Sequence, residues 1–195
     1  MDSSGYNQLY ATLLLHGEIP EVEFEKFIPL LAPKNIIKDN FFIQIGEMPK
    51  TFGFIMSGIF KTYYLSEEGN EIITDFCMEK EISGSVNLFD NCYAEQSIQA
   101  IEDSFLYVVN YKAFLAFSER HICWQKYIRN LMDSYYSHKT QKEKGFLMYD
   151  AEARYLNFLK EHPGIENRVY QYQIASYLGI TPIALSRIRK KIQLK

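Results

Sequence analysis

Near the end of the chain, "ITPIALSRIRKK" sets Arg187, Arg189, Lys190 and Lys191 among short and apolar side chains. A guanidinium can bind the paired acceptors of a guanine edge, and an ammonium can hold a phosphate oxygen. At helical spacing Ile183, Ser186, Arg187 and Lys190 share one outer face. Arg189, Lys191 and Lys195 add charge nearby, and no acidic residue follows Glu166. The chemistry this pattern offers is recognition of a polyanion. The candidate DNA-binding residues are Thr181, Pro182, Ile183, Ser186, Arg187, Arg189, Lys190 and Lys191.

Such a face needs a scaffold, and the preceding residues supply one. Ile174, Leu178, Ile180, Leu185 and Ile188 are the apolar positions of two short helices. Ala175 lets the helices cross closely. Gly179 can take the positive φ of a tight turn. Thr181 suits an N-cap, and Pro182 suits the first helical turn. The pattern is that of a helix-turn-helix. The plainer alternative is a helical hairpin whose basic face is merely solvated.

Charge divides the chain in the same sense. Residues 1–119 hold seven lysines, no arginine and eighteen acidic residues, a net of −11, whereas residues 120–195 hold fourteen basic and six acidic residues, a net of +8. Only the tail is expected to meet a polyanion. The overall net charge of −3 conceals this.

Upstream, three zones are expected. From about Tyr6 to Leu31 the chain reads as short helices, broken at Pro20 and ended near Pro33. Lys34 to Asn110 is strand-like, with turns at Ser57-Gly58, at Gly69-Asn70 and around Glu102-Asp103. Many short strands at close spacing predict a double-sheet jelly roll or β-roll. A long helix follows, in which Trp124, Ile128, Leu131 and Tyr135 form one apolar stripe. A stripe this long packs on its own β domain or on a second copy of itself, and we assign it to the seam of a homodimer. "DAEARYLNFLKEHPG" is a shorter helix ended at His162-Pro163-Gly164. The predicted fold is α+β, with domains at residues 1–119 (β-roll sensor), 120–145 (dimerisation helix) and 146–195 (helix-turn-helix).

Composition narrows the function further. No apolar run approaches the ~18 residues of a membrane helix, and no basic leader opens the chain, so a soluble cytoplasmic protein without membrane partners is expected. Cys77, Cys92 and Cys123 are widely spaced, which predicts buried thiols and no metal, iron–sulfur or disulfide framework. The four histidines, His16, His121, His138 and His162, all lie outside the strand-like zone. With no nucleophile motif or phosphate loop, an enzyme is not expected.

The β-roll pattern of "SGIFKTYYLSEEGNEIITDF", the long helix and "IASYLGITPIALSRIRKK" together resemble the Crp/Fnr family of bacterial transcription regulators. The resemblance spans nearly the whole chain. It implies a homodimer on a near-palindromic double-stranded DNA operator, with a signal acting through the β-roll. RNA polymerase is a further expected partner.

The resemblance is uneven. Family members that bind cyclic AMP carry a Gly-Glu-Leu turn whose Glu holds the ribose, and an Arg beside Ser or Thr that pairs with the phosphate. Here Gly84-Ser85-Val86 and Glu95-Gln96-Ser97 stand at those places, and no arginine precedes Arg120. A buried phosphate would lack its bidentate cation, so the pocket is degenerate and cyclic AMP is not the expected ligand. Ser83, Gly84, Ser85, Val86, Gln96 and Ser97 would wall the pocket for an unidentified small-molecule effector, and no cofactor is expected. In the recognition helix Pro182 and Ile183 replace the family's Arg and Glu, which leaves Arg187 matching a base-contacting arginine. Ile183 could meet a thymine methyl. The alternative function is a small-molecule-binding module of the same fold whose helix-turn-helix serves protein contacts.

Overall fold

The computed structural model describes residues 3–193. Its chain order is α1 (Ser3–Leu14), α2 (Glu21–Phe27), β1 (Leu31–Ile36), β2 (Phe41–Ile43), β3 (Thr51–Ser57), β4 (Phe60–Leu65), β5 (Glu71–Cys77), β6 (Ile82–Ser83), α3 (Asn87–Asp90), β7 (Ser97–Ala100), β8 (Ser104–Asn110), α4 (Tyr111–Ser118), α5 (Ile122–Met148), α6 (Ala151–Glu161), α7 (Gln171–Tyr177) and α8 (Pro182–Gln193). The strands form two four-stranded sheets, ordered β1-β8-β3-β6 and β2-β7-β4-β5. This is the α+β, jelly-roll-like architecture expected.

Pro33 does not end a helix; it lies inside β1, opposite Tyr107 of β8. Because β1 is an edge strand, the missing N–H leaves no ladder bond unmade toward a further strand. Gly58 turns β3 into β4 at φ +103°, and a Cβ there would stand 2.0 Å from Ser104 Oγ. Only glycine suits both the backbone and the approach.

Two compact units emerge. The first comprises the chain up to Thr62 together with Phe76–Tyr135; the second joins Tyr63–Asp75 to the chain from Tyr136 onward. In the first unit β3 separates two cores by strict alternation. Phe52, Phe54 and Met56 face the helices, while Ile55 faces the roll interior with Phe42, Phe60, Ile98 and Leu106.

The helical side is an aromatic cluster. Phe27 lies 4.9 Å from Trp124 and 5.7 Å from Phe114, ring centre to ring centre, and Phe117 lies 5.3 Å from Trp124. Trp124 is fully buried, and Ile128 and Leu131 pack against the same cluster. The seam reading of the stripe is therefore corrected for Trp124. Its indole fills its own unit's core, because α2 and α4 bring Phe27, Phe114 and Phe117 to it. Tyr135 alone of the four is largely exposed, at 43%. Helix α5 also runs past residue 145 to Met148. Gly145 sits within it at a cost of about 1 kcal/mol relative to alanine, and the Tyr149 N–H still bonds its carbonyl at 3.0 Å.

Candidate nucleic-acid interface

Within the second unit α7 and α8 form the expected helix pair. Ile174, Ala175, Leu178 and Leu185 are buried at 2% exposure or less, which fixes the crossing. Ile180 and Ile188 are half-buried. Gly179 adopts φ +65°, and the Gly179 and Ile180 N–H groups donate to the Ser176 and Ala175 carbonyls, each at 3.0 Å. These bonds satisfy carbonyls left open at the end of α7. Thr181 Oγ1 accepts from the Ala184 N–H at 3.2 Å and caps α8.

The outer face of α8 carries Ile183, Ser186, Arg187 and Lys190, all exposed, with Thr181 and Pro182 exposed at its start. Arg189 points elsewhere: two residues along a helix is a turn of about 200°, which takes it off the face that Arg187 defines. Lys191, four residues on, stays within about 40° of Arg187 and is exposed. Arg189 is half-buried and acts on Tyr155 of α6, whose hydroxyl burial pushes up while Arg189 opposes that shift. Lys191 Nζ pairs with Glu152 of α6. That hydrogen bond and charge hold the Lys191 ammonium above its usual range. Arg189 is thus half-buried off the outer face, while Lys191 is exposed and ion-paired to α6. Lys195 lies outside the described residues.

The structure also places at the helix pair a group of residues that sequence reasoning missed. The β4–β5 hairpin, whose turn closes from Ser66 to Asn70, packs on α7. Ser176 Oγ accepts from the Ile73 N–H and donates to the Glu71 carbonyl, each at 3.1 Å. Lys139 Nζ lies 3.2 Å from Asp75 Oδ2. Lys142 Nζ donates to the Thr74 carbonyl and stands 3.5 Å from the centre of the Tyr177 ring. No spacing rule couples residues 71–75 to residue 176, so nothing local in the sequence announces the contact. Arg154 completes the support, donating to the Tyr149 carbonyl at 2.8 Å and the Leu178 carbonyl at 3.1 Å. Beside it lies a cavity of about 290 Å³ lined by Lys142, Phe146, Phe158, Glu161 and Tyr177 among others.

Burial pushes the Lys142 ammonium down to about 8; Asp75 opposes this and Lys139 adds to it. The charged form is thus disfavoured in the folded unit. Its cost is fully present below pH 8 and is relieved as pH rises from 8 toward the unfolded value of about 10.4. Lys142→Met is expected to stabilise the protein at pH 7 by about 2–3 kcal/mol before the loss of the Thr74 bond is counted. Denaturant unfolding of both proteins at pH 7 and pH 10 checks this. The gap between them narrows at pH 10, and a gap independent of pH would contradict the assignment.

In the first unit the expected pocket residues have mixed roles. Ser83 pairs opposite Gly53, so its side chain shares the inward face of Ile55. Among the described residues its buried hydroxyl has no hydrogen-bond partner. Gly84 is packed so tightly that a Cβ would meet Phe52 Cβ at 2.9 Å. Ser85 Oγ is occupied at the start of α3, donating to Asn87 Oδ1 and accepting from the Asn87 N–H. Ser97 Oγ accepts from the Ile45 N–H at 3.1 Å. Val86 and Glu95 are exposed, and Gln96 is half-buried.

Residues 33–121 match the cyclic nucleotide-binding domain family. Among solved structures the chain is similar to the c-di-GMP responsive global regulator CLP of Xanthomonas campestris, at 15% identity and TM-score 0.70, over 90% of this chain and 92% of that one. FixK2 of Bradyrhizobium japonicum gives 15% identity and TM-score 0.74, over 84% and 85% of the two chains. A chain from Eubacterium rectale assigned to the crp/fnr family of transcriptional regulators gives 18% identity and TM-score 0.67, over 90% and 84%. No curated protein matches the sequence. The chain therefore has the fold of the Crp/Fnr transcriptional regulators, with a cyclic nucleotide-binding-type domain at residues 33–121. Among the described residues no helix is long and apolar enough to cross a membrane.

Proposed function

We propose that this chain is a sequence-specific, DNA-binding transcriptional regulator of the Crp/Fnr type, acting as a homodimer. The observation that carries the reading is the α8 face, on which Arg187 and Lys190 are exposed beside Ile183 and Ser186. The helix enters the major groove, Arg187 reads a guanine edge, Ile183 meets a thymine methyl, and Lys190 holds phosphate. The likeness of fold to known regulators supports the same role.

Residues 1–119 serve as sensor, residues 120–145 as the dimer helix and residues 146–195 as reader. Apolar side chains still exposed along α5, Ile122 at 56%, Tyr135 and Tyr136 at 74%, would form the seam. Two recognition helices on one duplex must then lie about 34 Å apart to enter successive major grooves.

The sensor is not built for cyclic AMP. Ser85, which stands where the ribose-binding Glu is expected, is spent on α3. The roll interior presents the Ser83 hydroxyl, without a hydrogen-bond partner among the described residues, beside apolar side chains, and no arginine precedes residue 120. An effector there would be small and largely apolar, with one group able to hydrogen-bond that hydroxyl.

Selection of bound fragments from a genomic library tests the function. The expected product is a dyad-symmetric motif with half-sites about one helical turn apart. Recovery of fragments without a shared motif would favour the alternative, in which the helix pair serves protein contacts.

A further inference from the structure

We infer that Glu23, His121 and Cys123 form a binding site for a divalent transition-metal ion of the zinc class. Their ligand atoms, a carboxylate oxygen, an imidazole nitrogen and a thiol sulfur, all lie within 4.8 Å of one another. The three residues come from two elements of the first unit. Glu23 sits on α2, while His121 and Cys123 flank the start of α5.

The donor set is that of a borderline-soft cation. Zinc takes sulfur, imidazole nitrogen and carboxylate oxygen at about 2.0–2.3 Å, and sites with three protein ligands keep a fourth position for water. A calcium or magnesium ion would require an all-oxygen shell. Bonds of that length set neighbouring ligand atoms about 3.3–3.8 Å apart in a tetrahedral shell, so closure requires a movement of about an ångström. His121 can supply it, because its side chain is exposed. Cys123 and Glu23 are held in place, at 7% and 8% exposure.

The surrounding bonds define what binding must displace. His121 Nδ1 accepts from the Cys123 N–H at 3.2 Å, so coordination through Nδ1 takes over that lone pair. Lys26 Nζ holds Glu23 Oε1 at 2.6 Å and must yield or share the carboxylate. As the metal–sulfur bond forms, the S–H bond breaks and the thiol proton passes to solvent; no oxidant or reductant is involved. The bound ion would tie α2 to the first turn of α5. Nothing in the spacing of the cysteines and histidines announces this, since Glu23 lies far upstream of the other two ligands.

Cobalt(II) titration of the full-length, chelator-stripped protein tests the site. The expected result is a thiolate-to-cobalt charge-transfer band that saturates at one ion per chain and is erased by added zinc. His121→Ala, an exposed substitution, should weaken cobalt binding at least about tenfold while leaving the far-UV spectrum unchanged. Glu23→Gln should weaken it as well, and Cys123→Ser should abolish the band. Cys92→Ser, which alters an exposed thiol elsewhere, should leave the titration unchanged. Absence of the band in the wild-type protein, or a band that persists in Cys123→Ser or vanishes in Cys92→Ser, would overturn the assignment. So would undiminished binding by well-folded His121→Ala.

Discussion

Replacing Arg187 by alanine is expected to weaken binding to a selected duplex by about 1–3 kcal/mol, or roughly 5- to 150-fold. Binding to unrelated DNA should change far less. Arg187 stands in the middle of the exposed face of α8, one turn from Ile183 and one from Lys190. Thr181 caps the helix, and Leu185 anchors its inner side at 0% exposure. The side chain is therefore presented by a rigid element, and among the described residues it makes no hydrogen bond or ion pair. Arg189→Ala separates the two roles of charge on this helix. Arg189 is half-buried and turned about 200° from Arg187, so its loss should appear mainly in the stability of the helix pair and only weakly in base preference. Competition binding with single-base variants of the duplex reads both effects. Equal discrimination by wild-type and Arg187→Ala proteins would remove Arg187 from the reading role.

Trp124→Ala is expected to destabilise the first unit by about 3–5 kcal/mol. Trp124 is the only tryptophan and has 0% exposure. It touches Phe27, Phe114, Phe117 and Tyr127, with ring centres 4.9–6.0 Å apart. Removing the indole leaves a cavity that four rigid aromatic neighbours can fill only in part. Urea unfolding followed by far-UV circular dichroism measures the loss. A loss below about 1 kcal/mol, accompanied by conversion of dimer to monomer, would return Trp124 to the seam between copies.

Much of this architecture was legible because local rules decide it. Alternation in "FGFIMS", the Gly58 turn and the Thr181 cap each follow from one residue type in one backbone setting. The helix pair was legible for the same reason: its buried positions, its small residue and its left-handed glycine all lie within twenty residues. Three features were not. Pro33 reads as a terminator, yet an edge strand accepts it, and edge position is a property of the finished sheet. An apolar stripe on α5 shows that a face is covered without showing by what; Phe27 and Phe117 are fixed only by tertiary folding. Arg189 and Lys191 look equivalent to Lys190 in composition, but rotation about the helix axis takes Arg189 off the outer face, and Glu152 on α6 holds Lys191. The hairpin clasp at Ser176 belongs with these, since it joins backbone groups of residues 71 and 73 to a side chain more than a hundred positions away.

The most direct test of the account is the affinity of the wild-type protein for a selected duplex and a shuffled duplex of equal length, measured across a salt series. Binding to the selected duplex is expected to be tighter by about a thousandfold or more. The logarithm of affinity should fall linearly and steeply with the logarithm of salt concentration, as phosphate contacts release counterions. Equal affinity for the two duplexes, or an affinity indifferent to salt, would contradict the claim that α8 reads DNA.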